Sequence, residues 1–362
     1  MRFTFLAYLS LNSFRQFMGL LVCCVAIAPV QAGNVVVLNW EEYLAESVID
    51  QWQQESGHTI EEVYFDSDEK RDAILIASRK HRIDVAVVDE VVASRFGETG
   101  LLLPLTEDNV PNLKHVDPFW RGRCGKYAVP YLWGTLGIVY RSDKVEQPTS
   151  WVELLKPSQA MSGHIGMLND FTDTLAPALF WLGYSLNSQK KSELTEVFQL
   201  LKAQAPKVLT YEYPVTFLKS DPAANELYMA VAYSGDQYPL NEIAGKDDVW
   251  KFSVPKEGTV LWVDCLAIPS SAEHQTEALQ LINFLTRPII SAENSEELYF
   301  ATPVPAAREL QSEEFSSTLE VYPPQSVLER SELYAPLSSE SIELRLRITN
   351  SLINIHEASK AH

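Results

Sequence analysis

The regular patterning begins with an unbroken apolar, β-branched run at 35–38, as expected of a strand covered on both faces. Leu44, Val48, Ile49 and Trp52 then recur at helical spacing through 42–55, and Gly57 stops the pattern. Residues 60–65 read as a second strand, 68–79 as a second helix and 83–88 as a third strand. This β-α-β-α-β order predicts a parallel sheet with crossover helices. In such sheets ligands bind beyond the carboxyl ends of the strands. Trp40, Glu41 and Tyr43 follow the first strand, and Asp89 and Glu90 follow the third, so both groups fall on one sheet edge.

The style continues without a sequence repeat. Strands are predicted at 136–140, 165–168, 228–233 and 260–268, and helices at 151–155, 174–182, 194–202 and 275–285. A last helix near 342–353 is expected to bury Ile342, Leu346 and Ile353. The acidic stretch 297–335 is loop-rich and receives no regular element.

At the N-terminus, Arg2 and Arg15 precede an uncharged, mostly apolar run from Phe17 to Val30, and Val30-Gln31-Ala32 precedes Gly33. This reads as an export signal, residues 1–32, cleaved near Ala32/Gly33, with the mature chain in the periplasm. The run is shorter than the roughly 20 residues needed to span a bilayer. The 362-residue chain carries 29 basic and 48 acidic residues, a net charge of −19. Such a surface disfavours nucleic acid and anionic lipid as partners and attracts cations. Past the signal only Cys124 and Cys265 remain, which leaves two buried thiols or one disulfide, with thiols as the default.

Chemistry-bearing motifs are few. The seven histidines lack zinc-type spacing, and there is no Gly-x-Ser-x-Gly, phosphate-cradling loop or dinucleotide fingerprint. No enzyme activity, metal or cofactor is expected. Asp170 and Asp173 could be an acid/base pair, but their place at a loop-to-helix junction suits a cation clamp better. Asn39-Trp40-Glu41-Glu42-Tyr43 and Trp262-Val263-Asp264 each set a carboxylate beside large rings at a strand end. Taken singly these are ordinary strand-end aromatics with solvated acids. Together they suit an elongated organic cation, whose ammonium groups pair with carboxylates and lie on ring faces.

Several markers in order extend this reading. They are the Asn39–Tyr43 cluster, Val129-Pro130-Tyr131-Leu132-Trp133-Gly134, Leu182-Gly183-Tyr184-Ser185 and Trp262-Val263-Asp264-Cys265-Leu266-Ala267-Ile268-Pro269, followed by Leu281-Ile282-Asn283-Phe284-Leu285, Arg287-Pro288 and Thr302-Pro303. On these the chain resembles the periplasmic spermidine/putrescine-binding proteins, the substrate-binding components of polyamine ABC transporters, a family that includes norspermidine sensor proteins. The resemblance implies an α/β, two-lobed periplasmic binding protein fold of type II. Each lobe would be a mixed or parallel sheet flanked by helices, with ligand in the cleft between them. It places lobe 1 at 33–138 and 263–308, and lobe 2 at 139–262 and 309–362.

It further implies that Trp40 and Tyr43 line a polyamine slot, that Asp170 and Asp173 grip one terminal amine, and that Trp262 and Asp264 supply a wall and a second carboxylate. Tyr233 stands where the family usually has Trp, Phe300 where Tyr is usual, and Ser220 falls near a family hydroxyl. Glu41 replaces a small hydroxyl, and Asp89-Glu90-Val91 replaces a Ser-Thr-Tyr-like run, which makes the cleft more acidic unless these acids sit at a solvated rim. The expected ligand is therefore a triamine such as spermidine or norspermidine, with putrescine as a lesser candidate. The expected function is delivery by a monomeric protein to an ABC permease. The alternative is a sensor that reports to a membrane signalling receptor.

Overall fold

The computed structural model describes residues 33–65 and 67–360. The export-signal expectation falls on 1–32, outside the described residues. Among the described residues ten strands form one sheet: β1 (Asn34–Asn39), β2 (Thr59–Tyr64), β3 (Val85–Asp89), β4 (Ala128–Arg141), β5 (Ile165–Gly166), β6 (Val208–Thr210), β7 (Met229–Tyr233), β8 (Trp250–Ser253), β9 (Val260–Ala267) and β10 (Glu332–Leu333). Their order is β2-β1-β3-β9-β4-β7-β5-β6, with β10 added to β9 and β8 to β4. The predicted β2-β1-β3 trio is parallel. Strand β9 enters antiparallel between β3 and β4.

The apolar run of β1 is explained by period two. Val35 and Val37 enter one core cluster with Val85 and Val87, while Val36 and Leu38 enter another with Ala86 and Val88. Further along β4, Ile138 and Val231 enter a third cluster, and Val139, Ala230 and Ala232 a fourth. Each half of the sheet is thus covered on both faces by its own pair of clusters, the two-lobed α/β arrangement, and β4 and β9 run through both halves. Phe315, Val321 and Tyr322, expected with the second lobe, pack in the first half.

Other expectations are corrected in detail. The strand expected at 136–140 is the second half of β4, which is buried along all but its last residue. Its first half was hidden by Pro130, which the ladder tolerates because the register against β9 shifts between Pro130 and Leu132. The helix expected from 42 is Glu46–Ser56, because Glu42 takes a left-handed φ of 56° and turns the chain first. That corner is pinned from outside: the Tyr131 hydroxyl donates to the Tyr43 carbonyl (2.8 Å), and the Ala45 N–H donates to Asn294 (3.1 Å). The final helix, Ser339–Lys360, buries Arg345, Ile348, Leu352 and His356, and leaves Leu346 exposed. The rotation follows from Arg345, which donates to the Leu186 and Ser188 carbonyls at 2.7 and 2.8 Å. No helix among the described residues is long and apolar enough to cross a membrane.

The two cysteines are not free thiols. Cys124, at the end of the helix Pro118–Cys124, is disulfide-bonded to Cys265 on β9, with Cα atoms 5.9 Å apart and a sequence separation of 141. Closing so long a loop restricts the unfolded chain, and in the loop-entropy account stabilises by roughly 3–5 kcal/mol. Cys124→Ala/Cys265→Ala should lower the urea-unfolding free energy by that order. A loss under about 1 kcal/mol would mean the bridge adds little to stability.

Candidate functional site

The site grows from the ends of β1, β3, β7 and β9. After β1, Trp40 packs on Phe65 with ring centroids 4.3 Å apart. Tyr43 is buried and meets Tyr131 at 5.7 Å and Phe300 at 5.2 Å, both edge-on. Phe300 meets Trp262 at 5.6 Å, Trp262 meets Tyr233 at 6.1 Å, and Tyr233 meets Tyr213 at 6.2 Å. An unbroken row of six rings therefore runs from the first pair of cores to the second. Trp262 lies across β4 only because Gly134 is its cross-strand partner: a Cβ there would stand 2.5 Å from the indole.

Carboxylates line this row. Along β9, Val263 and Cys265 point into the core, so Trp262 and Asp264, offset by one, share the half-buried face. Burial pushes the Asp264 carboxyl up to about 7, and Asp89 adds to the effect, while the Tyr43 hydroxyl and Arg71 oppose it. The Tyr43 hydroxyl approaches Asp264 without reaching full hydrogen-bond geometry.

The second acidic group follows β5. Asp170 accepts the Thr172 and Asp173 N–H groups at 2.6 and 2.7 Å, which curls the loop and turns Asp173 inward. Asp173 accepts the Tyr233 hydroxyl at 2.8 Å and the Tyr334 hydroxyl at 2.7 Å. Burial, and next the neighbouring Asp170, push the Asp173 carboxyl up to about 7. Burial raises Asp170 as well. Both tyrosines are held well above their ordinary value, by burial first and Asp173 second, so they serve as neutral donors. Asp236 braces the row from behind, accepting the Tyr213 hydroxyl and the Tyr233 N–H.

Of the residues singled out from the sequence, Tyr43, Phe300, Trp262 and Tyr233 join in the one row of rings, Asp264 faces Tyr43 and Asp173 bonds Tyr233, with Asp170 beside it, while Trp40 packs on Phe65. The remaining residues are placed differently. Glu41 is exposed at the rim, beside Glu42, which pairs with Lys219 at 3.5 Å. Asp89 caps the helix Glu90–Glu98 by accepting the Val92 N–H (2.8 Å), and pairs with Arg71 at 2.9 Å. Glu90 is 7 % exposed with neither oxygen partnered, and burial, then Asp89, hold it well above the usual carboxylate range. Ser220 is exposed and its hydroxyl bonds the Thr216 carbonyl.

Sequence reasoning missed four participants. Tyr131 and Tyr213 complete the ring row, Tyr334 comes from the stretch given no element, and Arg71 lies in the expected second helix without having been singled out. Only Tyr131, inside a quoted motif, carried a signal.

With this geometry in view, residues 47–321 match the bacterial extracellular solute-binding protein family. The chain is 35% identical over 345 residues to the norspermidine sensor of Vibrio cholerae, covering 95% of each protein. It is 28% identical over 327 residues to the spermidine/putrescine-binding periplasmic protein of Escherichia coli, covering 87% of this chain and 90% of that one. Among solved structures, the spermidine/putrescine ABC transporter substrate-binding protein PotD of Streptococcus pneumoniae superposes with a TM-score of 0.77 at 25% identity, covering 90% of this chain and all of that one. With the family matched over most of the chain, and a relative aligned almost end to end, this protein belongs to the bacterial extracellular solute-binding proteins.

Proposed function

We propose that this is an exported polyamine-binding protein whose slot takes a triamine of the spermidine or norspermidine kind. One observation carries the reading: among the described residues, Asp170, Asp173 and Asp264 lie along a row of aromatic rings with no ion-pair partner of their own. Deep carboxylates without a cation are costly, and ring faces beside them favour ammonium over a metal ion. The triamine expectation rests on these three groups, since Asp89 is paired with Arg71 and Glu41 is exposed to solvent. The names of the relatives, norspermidine sensor and spermidine/putrescine-binding protein, support the ligand class.

The lobes are taken as 33–138 with 263–308 and 139–262 with 309–362, except that 315–333 stays with the first. The protein would act in the periplasm as a monomer, closing on its ligand like a hinge. Delivery to an ABC permease is the family's usual role and the reading the sequence puts first. The near end-to-end match to a sensor, at 35% against 28% for the Escherichia coli binding protein, favours reporting to a membrane receptor. Deleting the gene and following labelled triamine uptake separates the two. Lost uptake supports delivery; unchanged uptake supports sensing.

Residues 33–362, refolded oxidatively from denaturant to strip carried ligand, should bind a triamine stoichiometrically in calorimetric titration against putrescine, cadaverine, norspermidine, spermidine and spermine. Charge-assisted hydrogen bonds contribute roughly 1.5–3 kcal/mol each, enough in sum for micromolar affinity, near −8 kcal/mol. Putrescine binding tenfold tighter than every triamine would overturn the triamine reading, and no heat with any amine would overturn the ligand class. Asp264→Asn should weaken the triamine at least tenfold and more than Tyr233→Phe, because it leaves a buried ammonium uncompensated. Equal losses would sink that ranking.

The raised carboxyls give a pH dependence with two opposite senses. In the ligand-free protein Asp173 and Asp264 titrate near 7 rather than near 3.9, so between about pH 4 and 7 the native state holds more protons than the unfolded state. Their contribution to stability is therefore lost as pH rises through about 7. Ligand binding needs the ionised forms, so affinity should fall as pH drops below about 7. The rise in melting temperature caused by saturating norspermidine should be larger at pH 8 than at pH 5.5. Equal rises at both pH values would contradict this.

A further inference from the structure

We infer that Arg71 is a resident counter-ion that closes one end of the slot's row of carboxylates and so caps the number of ammonium groups the slot accepts. The inference rests on the amine-binding reading above and goes beyond it, since it concerns what sets the ligand's charge number.

The register of the sheet creates the problem that Arg71 solves. Asp89 and Asp264 are direct cross-strand partners on β3 and β9. Left ionised and unpaired, they would form a two-carboxylate end that invites one ammonium more than Asp264 alone. Like charges opposite one another in a sheet also destabilise it.

The helix Asp68–Ile76 supplies the cation. Its first turn, capped by Ser67 accepting the Lys70 N–H, sets Asp68, Arg71 and Asp72 on one face by their i, i+3, i+4 spacing. Arg71 is 2% exposed, unlike an ordinary surface arginine. It pairs with Asp89 at 2.9 Å, Asp68 at 2.8 Å and Asp72 at 3.0 Å. Asp72 is shared with Arg95 on the helix Glu90–Glu98, so Arg71 is the principal cation of Asp68 and Asp89. Its guanidinium also lies 5.9 Å from the Phe65 ring centroid, and Phe65 packs on Trp40.

A cation held by carboxylates beside an aromatic face is what the slot offers a ligand ammonium. Arg71 repeats that arrangement at the slot's end, with the charge already supplied by the chain. The planar fork binds two carboxylates at once, which a ligand's primary amine does less well. Asp89 is thereby withdrawn from the ligand, and the end of the slot is electrically closed.

The test reads the ratio of spermine to norspermidine affinity by calorimetry in the mature chain. Arg71→Gln uncovers Asp89 and Asp68 and should raise the ratio tenfold or more. Asp89→Asn keeps the helix cap, since Asn caps as well as Asp, but leaves Arg71 less neutralised; it should lower the ratio threefold or more. The double variant removes both charges and should return the ratio to within threefold of wild type. A ratio unmoved in both single variants, or an equal loss for both amines, would make Arg71 a structural ion pair only and overturn the inference. Should Arg71→Gln fail to fold, Asp89→Asn decides alone. Wild type that binds no amine would remove the amine-binding reading together with this one. Wild type that binds a triamine while the variants keep its ratio removes only this one.

Discussion

Strand β9 runs antiparallel between β3 and β4, and its register decides where the chemistry falls. One residue of slip would turn Trp262 and Asp264 into the core and Val263 and Cys265 outward. The register is held three ways. Cys265 is tied to Cys124 in the helix packed over the sheet, Gly134 leaves room for the indole opposite it, and β4 and β9 continue their pairing from one half of the sheet into the other. The same strand sets Asp264 across from Asp89. Position of the wall, position of the carboxylate and the need for a counter-ion all descend from one pairing.

The second constraint is electrostatic. Burial disfavours the ionised forms of Asp68, Asp170, Asp173 and Asp264. The protein relieves this by different means at its two ends. At the Asp89 end an arginine of the chain is the partner. At the Asp173 end the partners among the described residues are the hydroxyls of Tyr233 and Tyr334, and burial pushes the carboxyl up to about 7. The first end is closed by a permanent cation, and the second stays receptive to an incoming one.

Much of this was legible in the sequence because it depends on local patterning. The strands β1 and β3 announce themselves as apolar runs, and residues just past strand ends must share a sheet edge, so Trp40 and Tyr43 could be named. Features set by tertiary pairing were not legible. Pro130 hid the first half of β4 because the register shift that accommodates it, between Pro130 and Leu132, is set only by pairing with β9. The buried face of the last helix was misjudged because Arg345, a residue expected outside, is fixed by two loop carbonyls from elsewhere in the chain. Asp89 was named from its place just past the third strand, and that place says nothing of Arg71, which tertiary packing brings against it.

Arg71 also changes how discrimination can be divided. A slot of rings and acids measures a polyamine twice, by length along the rings and by charge against the carboxylates, and the two rise together as amines lengthen. A tetramine would ordinarily gain from both. On the amine-binding proposal, a further aminopropyl unit would still meet aromatic surface near Trp40 and Phe65 but would find a guanidinium in place of an acceptor. Specificity is a difference of affinities, and an element that repels the longer ligand contributes to it as much as one that attracts the shorter. The acid-rich sequence around Asp68 and Asp89 thus reads as the seat of a cation that the protein already carries.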